Sequence, residues 1–462
     1  MKKLIKNGTI VTPSLSYQSN ILIENGIIAA IQPGLETSDT EIYDARGCRL
    51  FPGFIDAHTH LDMAMGPTVT ADDFRTGTRA ALAGGTTSII DFATQDKGDT
   101  LTHALGKWHR KADGISACDY GFHMAIIDWN PVICNEIQSI ADAGVTSFKV
   151  YLAYDNLHVS DSAIYEILRR VGQVHGIVGA HCENGDIISK LIDTNLRRNN
   201  TQPCFHAQSR PDLAEAEAIS RFTYIAQMAE VPVNIVHLSS EAGLMAAKSA
   251  RQRGADIYIE SCPQYFILDD SCYYLPGFEG AKFVCSPPVR SKHSQTALWN
   301  ALSAGSIDTI STDHCSFNWK GQKELGRNDF SQIPNGLPGI EHRPVLLYTY
   351  GVAAGRISEN QFVASLSENT ARLFGMFPQK GQIAVGSDAD IVVWNPSCQG
   401  TLTAQNQVQN VDYTPYEGLK IQGGAKAVFL RGELAAENGK VLFENQGKYI
   451  HRHSCDYYHK NS

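Results

Sequence analysis

Asp56-Ala57-His58-Thr59-His60 follows the apolar run Leu50-Phe51-Pro52-Gly53-Phe54-Ile55, which places two histidines at the expected end of a buried strand. Side chains two apart on a strand share a face, so both imidazoles could grip one metal ion. Isolated polar residues recur at the ends of later apolar runs: Lys149, His181, His237 and Asp313. A single histidine at such a position is most often a hydrogen-bonded core residue. Six ligand-type residues at five strand ends point instead to a two-metal hydrolase.

Lys149 lies in Ser147-Phe148-Lys149-Val150-Tyr151-Leu152, where apolar neighbours would desolvate an ammonium. Burial lowers a lysine pKa. A neutral amine can add carbon dioxide to give a carbamate, an anion with two oxygens able to bridge metal ions roughly 3.5 to 4 Å apart. An ordinary ion pair with Asp313 or another acid would also satisfy Lys149, and spacing alone leaves both readings open.

The elements that must position these residues read as strands alternating with helices. Candidate strands cover 54–58, 87–92, 120–126, 147–152, 177–181, 234–238, 256–260 and 308–312, and amphipathic helical patterns cover 72–82, 161–174, 213–228 and 242–253. Eight such repeats predict an α/β fold, a (β/α)8 TIM-like barrel with its chemistry at the C-terminal ends of the strands. Longer segments after strands five, seven and eight are expected insertions at that end. Residues 1–52 and 376–462 carry short β-like runs with turn dipeptides Asn7-Gly8, Asn25-Gly26 and Asn438-Gly439. The expected organisation is a β-sandwich built from both chain ends (1–52 and 376–462) around a barrel over 53–375. The last stretch, 449–462, with His451, His453 and His459, is expected to be a mobile or intersubunit tail rather than a metal site.

Composition excludes other classes. The 462 residues are 43% hydrophobic with a net charge of −9 and no long run of one sign, which argues against nucleic acid or an anionic membrane as partner. No signal-peptide core follows Lys2-Lys3, and no apolar stretch is long enough to span a bilayer. Eleven scattered cysteines without Cys-x-x-Cys spacing suit reduced thiols in the cytoplasm.

The chain resembles the cyclic amidohydrolases, specifically the D-hydantoinase and dihydropyrimidinase group, over nearly its full length. The matching segments include Gly53 to Leu61, Gly84-Gly85-Thr86-Thr87, Phe148-Lys149-Val150-Tyr151 with Tyr154, His181-Cys182-Glu183-Asn184-Gly185, Ile235-Val236-His237-Leu238-Ser239, Cys262-Pro263-Gln264-Tyr265, Ser286-Pro287-Pro288, Thr312-Asp313-His314-Cys315 and Pro334-Asn335-Gly336-Leu337-Pro338-Gly339. The resemblance implies a carboxylated Lys149 bridging two zinc ions, manganese or cobalt being alternatives. One ion would sit on His58, His60 and Asp313, the other on His181 and His237. It further implies Asp313 as general base and acid, Tyr154 as donor to the developing oxyanion, and Ser286 and Asn335 as holders of the ring's amide and ureide edges through backbone groups. A homotetramer is also implied. The reaction implied is ring opening of a cyclic ureide to an N-carbamoyl amino acid by a hydroxide bridging the metals.

Some residues look functional but are assigned other roles. His123 is expected in the core or behind the ligands, His314, Cys182 and Cys315 are expected to face away from the site, and Asp91 is expected to be structural. Dihydroorotase-like relatives place an arginine two residues beyond the second histidine, where this chain has Asp62, so an anionic ring is disfavoured. Met63 and Met65 offer adaptable apolar lining. That favours 5-substituted hydantoins, dihydrouracil or dihydrothymine over polar allantoin. The alternatives are an allantoinase-like enzyme and a non-catalytic scaffold of the collapsin response mediator type, whose loss of metal ligands this chain does not share.

Overall fold

The computed structural model of the protein describes residues 2–38 and 40–455. Eight parallel strands follow one another around a sheet in chain order: Phe54–Thr59, Thr86–Thr94, Asp119–Ala125, Ser147–Tyr151, Ile177–His181, Val233–Ile235, Ile257–Ser261 and Thr309–Ile310. These are barrel strands one to eight. Nearly all their residues are buried, because helices cover the outside while inward side chains fill the middle.

The sheet curls until strand one meets the segment beyond strand eight. Thr59 bridges His314, the His60 N–H donates to the His314 carbonyl at 2.8 Å, and Thr312 donates to the Asp56 carboxylate from its N–H and hydroxyl at 3.0 and 2.6 Å. Arg343 latches the same seam from within the core: one guanidinium nitrogen donates to the carbonyls of Ile55 at 2.7 Å and Ile310 at 2.9 Å. The predicted barrel is therefore present and nearly closed.

Helices pack outside with the expected periodicity. Asp161–Gln173 buries Ile164, Ile167, Leu168 and Val171 on one face, and the Ser160 hydroxyl accepts from the Ala163 N–H at its start. Strands six and eight are shorter than predicted. His237 and Asp313 lie past their ends with φ of 40° and 54°, so the extended backbone stops before each residue.

The long segments after strands five, seven and eight pack on one another. Phe205, Val284, Cys285, Phe330, Ile333 and Leu337 share one small apolar cluster above the barrel mouth. Both chain ends meet in a second, nine-stranded sheet, where Arg49–Pro52 pairs antiparallel with 391–394 and parallel with Thr9 and Ile10.

Residues 449–455 do not form a mobile tail. They lie against the barrel: Ile450 donates to the Tyr120 carbonyl, His453 donates to the Gly375 carbonyl at 2.9 Å, and His451 Nε2 is 3.0 Å from the Asp142 carbonyl. Gly375 has φ 69°, and a Cβ there would lie 1.9 Å from the His453 carbonyl oxygen. Arg452, 1% exposed, donates to Ser147 Oγ at 2.8 Å, to the Phe122 carbonyl and to the Phe374 carbonyl at 3.4 Å. The sequence signal for a tail, polarity at a chain end, is overridden because these polar groups satisfy backbone groups of the barrel. His459 lies outside the described residues.

Replacing Arg452 with Met strands buried acceptors, and we expect a loss of about 2 to 3 kcal/mol. A lowered denaturant midpoint would show it; an unchanged midpoint would refute the anchoring role.

Candidate metal centre

Strand one presents His58 and His60 toward the barrel mouth. Each ring's Nε2 is 3.2 Å from Asp313 Oδ1, and the three donor atoms lie within 4.8 Å of one another. Beside them, His181 Nδ1 is 2.9 Å from His237 Nε2. The His58 and His237 ring centroids are 5.5 Å apart, so the two groups form one constellation. Lys149 belongs to it: strand four pairs in register with strand five, Lys149 opposite Gly179 and Tyr151 opposite His181.

Backbone conformation aims several of these residues. Tyr154, His237 and Asp313 all have positive φ (69°, 40° and 54°), which is uncommon outside glycine and concentrates at sites where the surroundings dictate geometry. For Asp313 those surroundings are Thr312, held by Asp56, and His314, whose Nε2 is 3.2 Å from Asp72 Oδ2.

Burial governs the charges. It lowers Lys149 to about 8, with the Asp313 and Glu260 charges pulling the other way. It drives His58 and His237 well below the usual imidazole range, helped by Lys149 at His58 and by His181 at His237. Burial would raise Asp313, but His58, His60 and Lys149 outweigh it and hold the carboxyl low. The result is neutral imidazoles beside a carboxylate, the donor set of a divalent cation.

Two carboxylates orient the rings. Glu260 Oε1 is 2.7 Å from His58 Nδ1, so that nitrogen carries the proton and Nε2 turns a lone pair into the cluster, where it has no hydrogen-bond partner. Glu183 Oε2 lies 2.9 Å from His181 Nε2, which leaves His181 Nδ1 facing His237 Nε2. His58 Nε2 and His181 Nδ1 thus present acceptor nitrogens to the cluster, as a divalent cation requires. Burial raises Glu260 to about 7 against the opposing charge of Lys149, whereas Arg210, donating to Glu183, outweighs burial and holds that acid at about 2.

Neither Glu260 nor Glu183 was assigned a role from sequence. Both carried a usable signal: Glu260 is a polar residue near the end of strand seven, and Glu183 is two residues from His181. Arg210 carried none, because it comes from the insertion after strand five and reaches Glu183 only through the fold.

A cavity of about 600 Å³ opens above the cluster. Tyr154 stands at one side, its ring 5.0 Å from that of His181 and its phenol raised to about 12 by burial, so it remains a donor. Ser286 and Asn335 line the cavity, as do Met63 and Met65. Asp62 is directed to Lys111 at 3.5 Å.

His123 is a core residue, bonded to Ser147 Oγ at 2.6 Å and the Ala57 carbonyl at 2.8 Å. Asp91 accepts from Thr59, Leu61 and Trp108 and so fixes the backbone around His60. His314 turns toward Asp72, and Cys182 packs in the core. Cys315 departs from expectation: it lines the cavity, two residues past Asp313, where a period of two already returns a side chain to the face of Asp313.

The amidohydrolase family profile matches residues 49–435. The D-hydantoinase of Geobacillus stearothermophilus is 45% identical over 455 residues, 98% of this chain and 97% of that one. The crystal structure of dihydropyrimidinase from Brevibacillus agri NCHU1002 superposes with a TM-score of 0.97 at 45% identity, covering 98% and 99% of the two chains. The L-hydantoinase (dihydropyrimidinase) of Arthrobacter aurescens superposes with a TM-score of 0.89 at 28% identity, covering 97% and 100%.

Glu260→Gln keeps the shape and removes the charge behind His58. It should weaken divalent-metal retention about tenfold to hundredfold, read by metal analysis after dialysis; full retention would show that Glu260 does not orient the ring.

Proposed function

The chain belongs to the amidohydrolase family, in its D-hydantoinase and dihydropyrimidinase group, and on that footing we propose that it hydrolyses the ring amide of hydantoins or 5,6-dihydropyrimidines to N-carbamoyl amino acids. The observation that carries this reading is the convergence of His58, His60, His181, His237, Lys149 and Asp313 at the floor of one cavity. In this proposal His58, His60 and Asp313 would hold one divalent cation and His181 and His237 the other, and a carboxylated Lys149 would serve both. Zinc is the expected metal, and manganese or cobalt would suit the same donors. When bound, the cations supply hydroxide from water at neutral pH and polarise the carbonyl under attack.

The chain's own residues do the rest. Asp313, kept ionised beside His58 and His60, takes the proton of the attacking water and delivers it to the departing ring nitrogen. The water oxygen thereby joins the carbonyl carbon as the ring C–N bond breaks, leaving a carboxylate and a ureido group. The Tyr154 phenol donates a hydrogen bond to the oxyanion as charge develops, keeping its proton. Backbone groups at Ser286 and Asn335 hold the ureide edge.

Met63 and Met65 provide an apolar wall for a substituent on the ring. Apart from Lys149 at the floor, the two lysines that line the cavity are each paired with an acid, Lys107 with Asp96 and Lys111 with Asp62, so neither is an uncompensated cation for a ring carboxylate. Substituted hydantoins and dihydropyrimidines fit this lining better than allantoin or dihydroorotate. All eleven cysteines are free thiols, which suits the cytoplasm, and the expected assembly is a homotetramer. No helix among the described residues is long and apolar enough to cross a membrane.

Metal-replete protein should open dihydrouracil and a panel of 5-substituted hydantoins, with products and handedness read by chiral chromatography. No turnover of any of them would sink the proposal. Asp313→Asn should lower kcat by about 10² to 10⁴-fold. Chelation should abolish activity, and added zinc should restore it together with about two metal ions per chain.

A further inference from the structure

Lys323 lies behind the cavity wall, in the segment after strand eight, and is 0% exposed. Its Nζ donates to three backbone carbonyls: Val284 at 2.8 Å, Pro334 at 2.7 Å and Gly336 at 2.8 Å. An ammonium has three N–H groups, and all three are used. Its hydrogen-bond partners are peptide dipoles, an arrangement that burial makes costly unless the bonds are well formed.

The three carbonyls belong to two separate loops. Val284 lies two residues before Ser286 in the loop after strand seven, and Pro334 and Gly336 flank Asn335 in the loop after strand eight. The Gly336 N–H also donates to the Val284 carbonyl at 3.0 Å, and the Cys315 N–H donates to the Leu337 carbonyl at 3.1 Å. Gly336 has φ 153°, and a Cβ there would lie 2.3 Å from the Cys315 carbonyl oxygen. Both loops are thus drawn onto one ammonium: burial lowers Lys323 to about 7, but three carbonyl acceptors are satisfied only by the protonated form. The Pro334 carbonyl shares its peptide unit with the Asn335 N–H, so a positive charge on that oxygen also makes the N–H a stronger donor.

We propose that Lys323 is a positioning residue that sets the distance between the Ser286 and Asn335 backbones and so decides how tightly, and at which ring size, the ureide edge is held. The proposal rests on the functional reading above, in which those two backbones hold the substrate. Lys323 does not line the cavity or touch the metal-ligand cluster, so its effect belongs to substrate binding.

The test compares wild type, Lys323→Met and Lys323→Arg on hydantoin and dihydrouracil, with metal content and denaturant midpoint measured on the same preparations. Loss of the three bonds should raise KM about tenfold or more for at least one ring. It should also change the ratio of kcat/KM between the two rings, with kcat within about threefold and metal content unchanged. Lys323→Arg, which keeps charge and donors, should recover part of the loss. If Lys323→Met does not fold, Lys323→Gln, with two N–H donors, takes its place and should show the same split at smaller amplitude. Unmoved KM values and an unmoved ring ratio in a folded variant would overturn the proposal, as would a parallel loss of kcat and metal on both rings. Wild-type protein that opens neither ring would overturn the functional reading and this proposal together; active wild type with an unaffected variant overturns only this one.

Discussion

Lys149 is 1% exposed inside strand four, with its Nζ over the faces of Phe92 and Tyr151 at 4.7 and 5.4 Å. Water is excluded, and the ammonium form is correspondingly weakened. The same desolvation lowers His58, His181 and His237. Asp313 is held ionised by its neighbours, His58, His60 and Lys149. A cluster of imidazole nitrogens and one carboxylate at the barrel mouth is therefore tied to where strand four passes, and it is a donor set suited to divalent cations.

The cost of this arrangement is spread through the fold. Glu260 and Glu183 hold the far nitrogens of His58 and His181, and Arg210 balances Glu183. Asp313 and His237 adopt left-handed backbone just past strands eight and six, which turns each side chain inward where continued extension would direct it by simple alternation. Residues with such conformations persist only when their neighbours leave no alternative. Thr312 bound to Asp56, and Leu238 bound to the Glu260 carbonyl, provide that restraint.

Three buried basic side chains bond chiefly to backbone oxygens. Arg343 ties strand one to strand eight, Arg452 ties the chain's end to strand three and Ser147, and Lys323 ties the loops after strands seven and eight. A cation on carbonyls can satisfy several strands at once, since each guanidinium or ammonium offers several donors and backbone carbonyls lie wherever strands end.

Strand and helix periods are local, so the barrel, its order of elements and the strand ends bearing His58, His60, Lys149 and His181 were legible in the sequence by itself. So was the contribution of both chain ends to a second unit, because turn dipeptides and short apolar runs mark strands without reference to anything distant. The partner of Glu260 was not legible, because His58 and Glu260 are 202 positions apart and meet only when strands one and seven close on the same mouth. Cys315 joined the cavity wall because a residue two past Asp313 returns to the face that Asp313 occupies. Arg452, at a polar chain end, became an anchor because the barrel offered it oxygens. Residue type and period set which groups could do chemistry; tertiary contacts decided which way each one points, because direction depends on neighbours that the chain brings together only on folding.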